Sequence, residues 1–117
     1  MQQLSAVQLA EWLTPSTPSA NPADSESPRR PLLLDVREPW EYELCHLADS
    51  MLLPMQTVPT RLGELDSEAD IVVICHHGVR SLQVGNFLER QGFSSIYNLT
   101  GGVDAWARDV DPAMRKY

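Results

Sequence analysis

The residues best suited to chemistry stand together in one short segment, CHHGVRS, at positions 75–81. The apolar run IVVI ends directly before Cys75, and two histidines, a glycine and an arginine follow. A cysteine in this position could be a metal ligand, half of a disulfide, a small buried residue or a nucleophile held in a loop. The elements around the segment help to decide between these interpretations.

The order of apolar and polar residues predicts those elements. Short apolar runs alternate with helical patterns, which indicates an α/β domain with a mainly parallel central sheet flanked by helices. The predicted strands are 32–36, 50–54, 70–75 and 94–99, and the predicted helices are 4–13, a segment starting near Pro39, a brief segment at 57–65, 80–91 and 103–110.

Local signals predict where several helices begin and end. Ser5 and Gln8 form a capping-box pattern at the start of the first helix. Thr57 is the predicted N-cap of the brief helical segment, and Gly92 is placed where a left-handed C-cap glycine is expected.

The length of 117 residues suits a single domain, 1–117, with a modest core. Residues 14–31 hold five of the nine prolines and almost no large apolar side chain, so they are predicted to form a proline- and serine-rich flexible insertion.

Charge and hydropathy exclude several classes of partner. Nine basic and sixteen acidic residues give a net charge of −7, which argues against nucleic acid and anionic membranes as partners. No apolar run approaches the roughly 20 residues of a spanning helix. The first 13 residues contain no lysine or arginine, which argues against a secretory signal. A cytoplasmic location is therefore expected, with two free thiols rather than a disulfide.

Cys75 is predicted to lie where a strand ends and a loop curls onto a helix that begins near Arg80. Gly78 gives this loop the backbone freedom for a sharp turn. Several backbone N–H groups then converge at the positive end of the helix dipole, which favours an anion or a thiolate.

Five motifs in this order resemble the single-domain rhodaneses, a family of sulfurtransferases. They are DVREPWEYE at 35–43, His46-Leu47, CHHGVRS at 75–81, LERQGF at 88–93 and LTGGVDAW at 99–106. The resemblance implies a rhodanese-like domain in which Cys75 takes a sulfur atom from a small anionic donor such as thiosulfate and carries it as a persulfide. The acceptor would be cyanide or a thiol, including the thiol of an acceptor protein.

The resemblance also implies roles for the loop residues that bind the substrate. Backbone N–H groups of His76, His77, Gly78, Val79 and Arg80 would stabilise the persulfide charge, and the Arg80 guanidinium would meet the anionic donor. The two histidines are expected to be exposed at the rim of the pocket.

Two alternative functions remain open beside sulfur transfer. The loop from Cys75 to Arg80 has six residues, as in rhodaneses, whereas the related phosphatases and arsenate reductases use seven. This length disfavours the phosphatase alternative. The other alternative is a non-catalytic or regulatory binding module on the same fold, which acts with a partner protein.

No metal site and no cofactor are expected. Cys45-His46 and Cys75-His76 could suggest zinc, but adjacent side chains usually point in different directions and zinc ligand pairs are normally spaced further apart. Cys45 stands where the family commonly has glycine. A second redox-active thiol that resolves a persulfide is one interpretation, and we favour a neutral replacement. Asp49 also replaces a family glycine, and aspartate tolerates left-handed backbone angles.

Two further pairs of residues are assigned structural roles. Asp35 and Arg37 are expected to tie the end of a strand to the following loop. Trp40 and Trp106 are expected to belong to the core.

Overall fold

The computed structural model describes residues 1–14 and 30–117, so most of the predicted flexible insertion at 14–31 lies outside the described residues. Five strands and four α-helices occur in these ranges: β1 (Gln2–Leu4), α1 (Ala6–Leu13), β2 (Leu32–Asp35), α2 (Pro39–Leu44), β3 (Met51–Leu52), β4 (Ile71–Ile74), α3 (Val79–Arg90), β5 (Ile96–Leu99) and α4 (Gly102–Asp109). Two 3₁₀ helices, Met55–Thr60 and Leu62–Glu64, connect β3 to β4.

The strands form a single five-stranded sheet in the order β1-β5-β4-β2-β3, and every neighbouring pair is parallel. This confirms the predicted α/β fold. β4 lies at the centre because its residues Ile71–Ile74 are apolar, β-branched and completely buried, as a parallel strand covered on both faces requires. The loops that follow β2, β4 and β5 therefore meet at one edge of the sheet.

Alternate residues of the strands separate the core into two clusters, one on each face of the sheet. Leu34 and Val73 point to the face covered by α3 and the 3₁₀ helices, where they pack with Val58, Val84 and Leu88. The opposite cluster lies under α1 and α4 and consists of Leu9, Leu33, Cys45, Leu47, Val72, Ile74, Leu99 and Val103.

Most of the predicted helix signals are confirmed. Ser5 and Gln8 form the capping box of α1, and Gly92 after α3 has φ +98°. The prediction for Thr57 is wrong, because it lies inside a 3₁₀ helix and donates its hydroxyl proton to the Pro54 carbonyl oxygen at 2.7 Å. Asp49 has φ +64°, which confirms that it adopts the left-handed conformation.

The two tryptophans have different environments. Trp106 is half-buried against the cluster under α1 and α4, as expected. The core assignment of Trp40 is wrong, since 58% of this residue is exposed. The helix α2 has only six residues, and its buried member is Glu41 instead. No helix within the described ranges is long and apolar enough to cross a membrane.

Candidate active site

Cys75 directly follows the central strand and is 1% exposed. Its Sγ accepts a hydrogen bond from the backbone N–H of Gly78 at 3.0 Å. Gly78 has φ +101° and is the N-cap of α3. The loop therefore folds back over the sulfur atom as the sequence predicts, and it depends on the left-handed conformation of this glycine.

The N-terminal end of α4 holds the cysteine loop, residues 75–80, in place. The backbone N–H of Val103 donates to the Cys75 carbonyl oxygen at 2.9 Å, and that of Asp104 donates to the His76 carbonyl oxygen at 3.1 Å. Gly102 has φ +58°, and a Cβ atom there would overlap the carbonyl oxygens of Cys75 and His76. The Gly-Gly turn thus allows a close approach between the two backbones.

Ser81 and Asn98 form a buried polar group beside the sulfur. Ser81 Oγ lies 3.3 Å from Cys75 Sγ, and its hydroxyl donates to Asn98 Oδ1. Because a hydroxyl has one proton, Ser81 is an acceptor toward the thiol while this bond exists. Asn98 Nδ2 donates to the Gly78 carbonyl oxygen at 3.3 Å, which links the loop to β5.

Arg80 forms a two-pronged salt bridge with Glu41. Nη1 donates to Oε1 at 2.7 Å and Nη2 to Oε2 at 2.8 Å. Glu41 is buried, and the hydrogen bonds from Arg80 lower its pKa to about 2. The same pairing raises the pKa of Arg80. Glu41 uses two of the five N–H groups of the Arg80 guanidinium. The predicted contact between Arg80 and an anionic donor stays a prediction.

Asp35 and Arg37 form a fully buried ion pair, which confirms their structural role. Arg37 Nη2 donates to Asp35 Oδ2 and to the Cys45 carbonyl oxygen, both at 2.6 Å. Burial alone would lower the pKa of Arg37, but hydrogen bonds to Asp35 and Tyr117 outweigh it and raise this pKa. The Cys45 thiol is buried 3.9 Å from Arg37 Nη1.

Tyr117 joins these groups and was not identified from the sequence. Its hydroxyl donates to Glu41 Oε2 at 2.7 Å and accepts from Arg37 Nη1 at 3.0 Å. Burial raises the pKa of this hydroxyl to about 12. Its ring stacks on His76 with centroids 3.9 Å apart. Tyr117 lies 41 or more positions from these partners, so no local pattern could have found it.

The two loop histidines differ in exposure. The predicted exposure is confirmed for His77 but is wrong for His76, which is half-buried because its ring stacks between those of His77 and Tyr117. Burial, followed by the proximity of His77, lowers the pKa of His76. Val79 is 65% exposed at the start of α3.

The loop histidines also meet a carboxylate that the sequence analysis did not associate with them. Ligand atoms of His76, His77 and Asp104 lie within 4.8 Å of one another. The cysteine–histidine pairs considered from the sequence thus miss this grouping, which only the packing of α4 against the loop creates.

The chain belongs to the rhodanese-like domain family, whose model matches residues 19–109. This confirms the resemblance found in the sequence motifs.

Relatives and solved structures agree with this assignment. A thiosulfate sulfurtransferase GlpE from Actinobacillus pleuropneumoniae serotype 3 is 36% identical over 85 residues, covering 73% of this chain and 79% of the relative. The rhodanese-like/PpiC domain-containing protein 12 of Arabidopsis thaliana is 42% identical over 89 residues, which cover 73% of this chain but only 30% of that longer protein. The crystal structure of a rhodanese-like domain protein from Staphylococcus aureus matches 91% of both chains, with a TM-score of 0.75 and 27% identity.

Proposed function

We propose that the protein is a sulfurtransferase that moves a sulfane sulfur from a donor such as thiosulfate to a thiophilic acceptor through a persulfide on Cys75. The observation that supports this most strongly is the hydrogen bond that the buried Sγ accepts from the backbone of the six-residue loop. There the sulfur accepts the Gly78 N–H at the beginning of the twelve-residue helix α3. A thiolate is stabilised at such a helix N-terminus and is the nucleophilic form of cysteine.

In the first half-reaction, the Cys75 thiolate attacks the outer sulfur of thiosulfate. A new S–S bond forms to Sγ, the S–S bond of thiosulfate breaks, and sulfite leaves with the bonding electron pair. Formation of this thiolate releases the thiol proton to water. The product is a persulfide whose terminal sulfur carries the negative charge.

In the second half-reaction, the acceptor attacks that terminal sulfur. With cyanide, a C–S bond forms, the persulfide S–S bond breaks, and its electron pair returns to Sγ. Thiocyanate leaves and the thiolate is regenerated. No external oxidant or reductant is needed, and the two products leave in separate steps, which is ping-pong behaviour.

The loop backbone would stabilise the persulfide between these steps. The N–H groups of His76 to Arg80 are the proposed donors, because charge on the outer sulfur develops inside the loop they form. The Glu41 salt bridge would hold Arg80 in a fixed orientation, and three N–H groups of the guanidinium remain for the donor anion. Since Cys75 is almost completely buried, a small donor with an accessible terminal sulfur fits better than a bulky one.

The acceptor in this proposal is cyanide or a thiol, including the thiol of a partner protein. The regulatory alternative is a rhodanese-fold binding module that acts with a partner protein. It predicts no catalytic turnover of thiosulfate and cyanide, whereas the sulfurtransferase proposal predicts turnover. A further alternative, phosphate ester hydrolysis, requires the wider seven-residue loop and is disfavoured by the six residues present.

The experiment is a steady-state assay of thiocyanate formation from thiosulfate and cyanide. We expect parallel double-reciprocal lines for the native chain, complete loss of activity in Cys75→Ala, and retention in Cys45→Ala, the matched control. Absence of turnover with a free, reduced Cys75 would contradict thiosulfate as donor and favour the regulatory module. Equal activity in Cys75→Ala would exclude this cysteine as the sulfur carrier.

A further inference from the structure

The sulfur-transfer proposal assigns no role to the side chains of His76, His77 and Asp104. The histidines belong to the cysteine loop, and Asp104 lies in the first turn of α4. One ligand atom from each residue lies within 4.8 Å of the other two. Two imidazoles and one carboxylate are a donor set that divalent transition metals prefer.

The distances are close to those of a metal site. Zinc binds imidazole nitrogen and carboxylate oxygen at about 2.0–2.2 Å, so ligand atoms around a tetrahedral ion are about 3.3 Å apart. The three ligand atoms lie at most 4.8 Å apart, so binding requires the side chains of the exposed His77 and the partly exposed Asp104 to rotate toward the ion. The fourth position of the tetrahedron would be open to water or another ligand.

The backbone already fixes the three residues relative to one another. The Asp104 N–H donates to the His76 carbonyl oxygen at 3.1 Å, and His76 and His77 are adjacent. The His76 ring is stacked on the Tyr117 ring, with the centroids 3.9 Å apart.

Three basic side chains, those of Arg108, Arg115 and Lys116, lie near the cluster. Arg108 competes for Asp104 only weakly, because this exposed pair is 4.0 Å apart and Arg108 bonds Asp109 at 3.0 Å. Arg115 and Lys116 lie nearby but are exposed, so both can turn toward solvent.

We propose that His76, His77 and Asp104 form a binding site for a divalent transition metal of the zinc class. The bound ion would link the cysteine loop to α4. This site does not depend on the proposed sulfur transfer, since Cys75 is not among its ligands.

The test uses zinc ions added to the full chain carrying Cys75→Ala, so that the thiol cannot bind the metal. Affinity and stoichiometry are measured by calorimetry and by competition with a chromophoric zinc indicator. We expect one ion per chain, and at least about tenfold weaker binding after Asp104→Asn or His77→Gln in the same background. His46→Gln, the remaining histidine, is the matched control and should bind as the parent does.

A second readout locates the ion. In the NMR spectrum, zinc should shift the imidazole signals of His76 and His77 but leave those of His46 in place. It should also raise the melting temperature of the parent but not of the Asp104→Asn variant, as binding to the folded state requires. Absence of binding at millimolar zinc, equal affinity after Asp104→Asn, or a shift confined to His46 would each overturn the proposal.

Discussion

Replacement of Glu41 by glutamine should destabilise the fold in a manner that depends on pH. Glutamine has the shape of a protonated glutamate, so Glu41→Gln removes the charge that pairs with Arg80 and keeps the side-chain volume. Glu41 is 3% exposed, and hydrogen bonds from Arg80 lower its pKa from 4.5 to about 2.

The sign and size of the effect follow from this pKa difference. A carboxyl group whose pKa is lower in the folded than in the unfolded state stabilises the fold above pH 4.5. That stabilisation is lost as the pH falls toward 2. At 1.36 kcal/mol per pKa unit the difference amounts to about 3 kcal/mol. The Arg80 side chain is 33% exposed, and solvent screening reduces the expected loss to about 2–3 kcal/mol at pH 7.

Urea unfolding followed by tryptophan fluorescence at pH 7 and at pH 3 measures the free energy of unfolding of the native chain and of Glu41→Gln. At pH 3 Glu41 is partly protonated in the native chain, which has therefore lost part of this stabilisation. The difference in the free energy of unfolding between the native chain and Glu41→Gln should then fall to roughly 1 kcal/mol. Glu64→Gln, which breaks the exposed pair with Arg61, is the matched control and should leave the urea midpoint unchanged. A Glu41→Gln effect that is the same at both pH values, or no larger than the control, would refute the reasoning.

Three further substitutions test the contacts around the cysteine loop by urea midpoint. Gly102→Ala should lower the free energy of unfolding by more than about 2 kcal/mol, because its Cβ would overlap the Cys75 carbonyl oxygen at a positive φ. The control Gly63→Ala, with open space around it, should be nearly neutral. Equal urea midpoints for the two variants would contradict the close approach of the two backbones. Ser81→Ala should cost about 1–2 kcal/mol, since Asn98 Oδ1 loses its donor, and an unchanged midpoint would argue against that bond. Asp35→Asn should cost about 3 kcal/mol because Arg37 stays buried without its carboxylate partner, and a neutral outcome would mean that the pair is not fully desolvated.

Features that depend on neighbouring residues were predictable from the sequence. The apolar run of β4, the glycine turn after Cys75 and the capping box of α1 each follow from residues within a few positions. The family motifs added the order of the elements and the position of the cysteine. The parallel sheet and the loop geometry therefore follow from the sequence, while the length of α2 does not. That helix is too short for its pattern to show that Trp40 faces solvent.

The partners of the loop could not be predicted, because they are distant in the sequence. Ser81 and Asn98 are 17 positions apart, Arg80 and Glu41 39, and Tyr117 and Glu41 76. The short strand β1 was not predicted for the same reason. Its three residues gain their strand conformation by pairing with β5, which is distant in the sequence. Such contacts depend on how the elements pack and have no local signature.

The measurement that tests the persulfide proposal most directly is the intact mass of the protein after incubation with thiosulfate. We expect the native chain and Cys45→Ala to gain one sulfur atom and Cys75→Ala to gain none, and added cyanide to remove the extra mass. A gain of sulfur by Cys75→Ala, or no gain by the native chain with its Cys75 thiol reduced, would contradict thiosulfate-dependent sulfur transfer through Cys75.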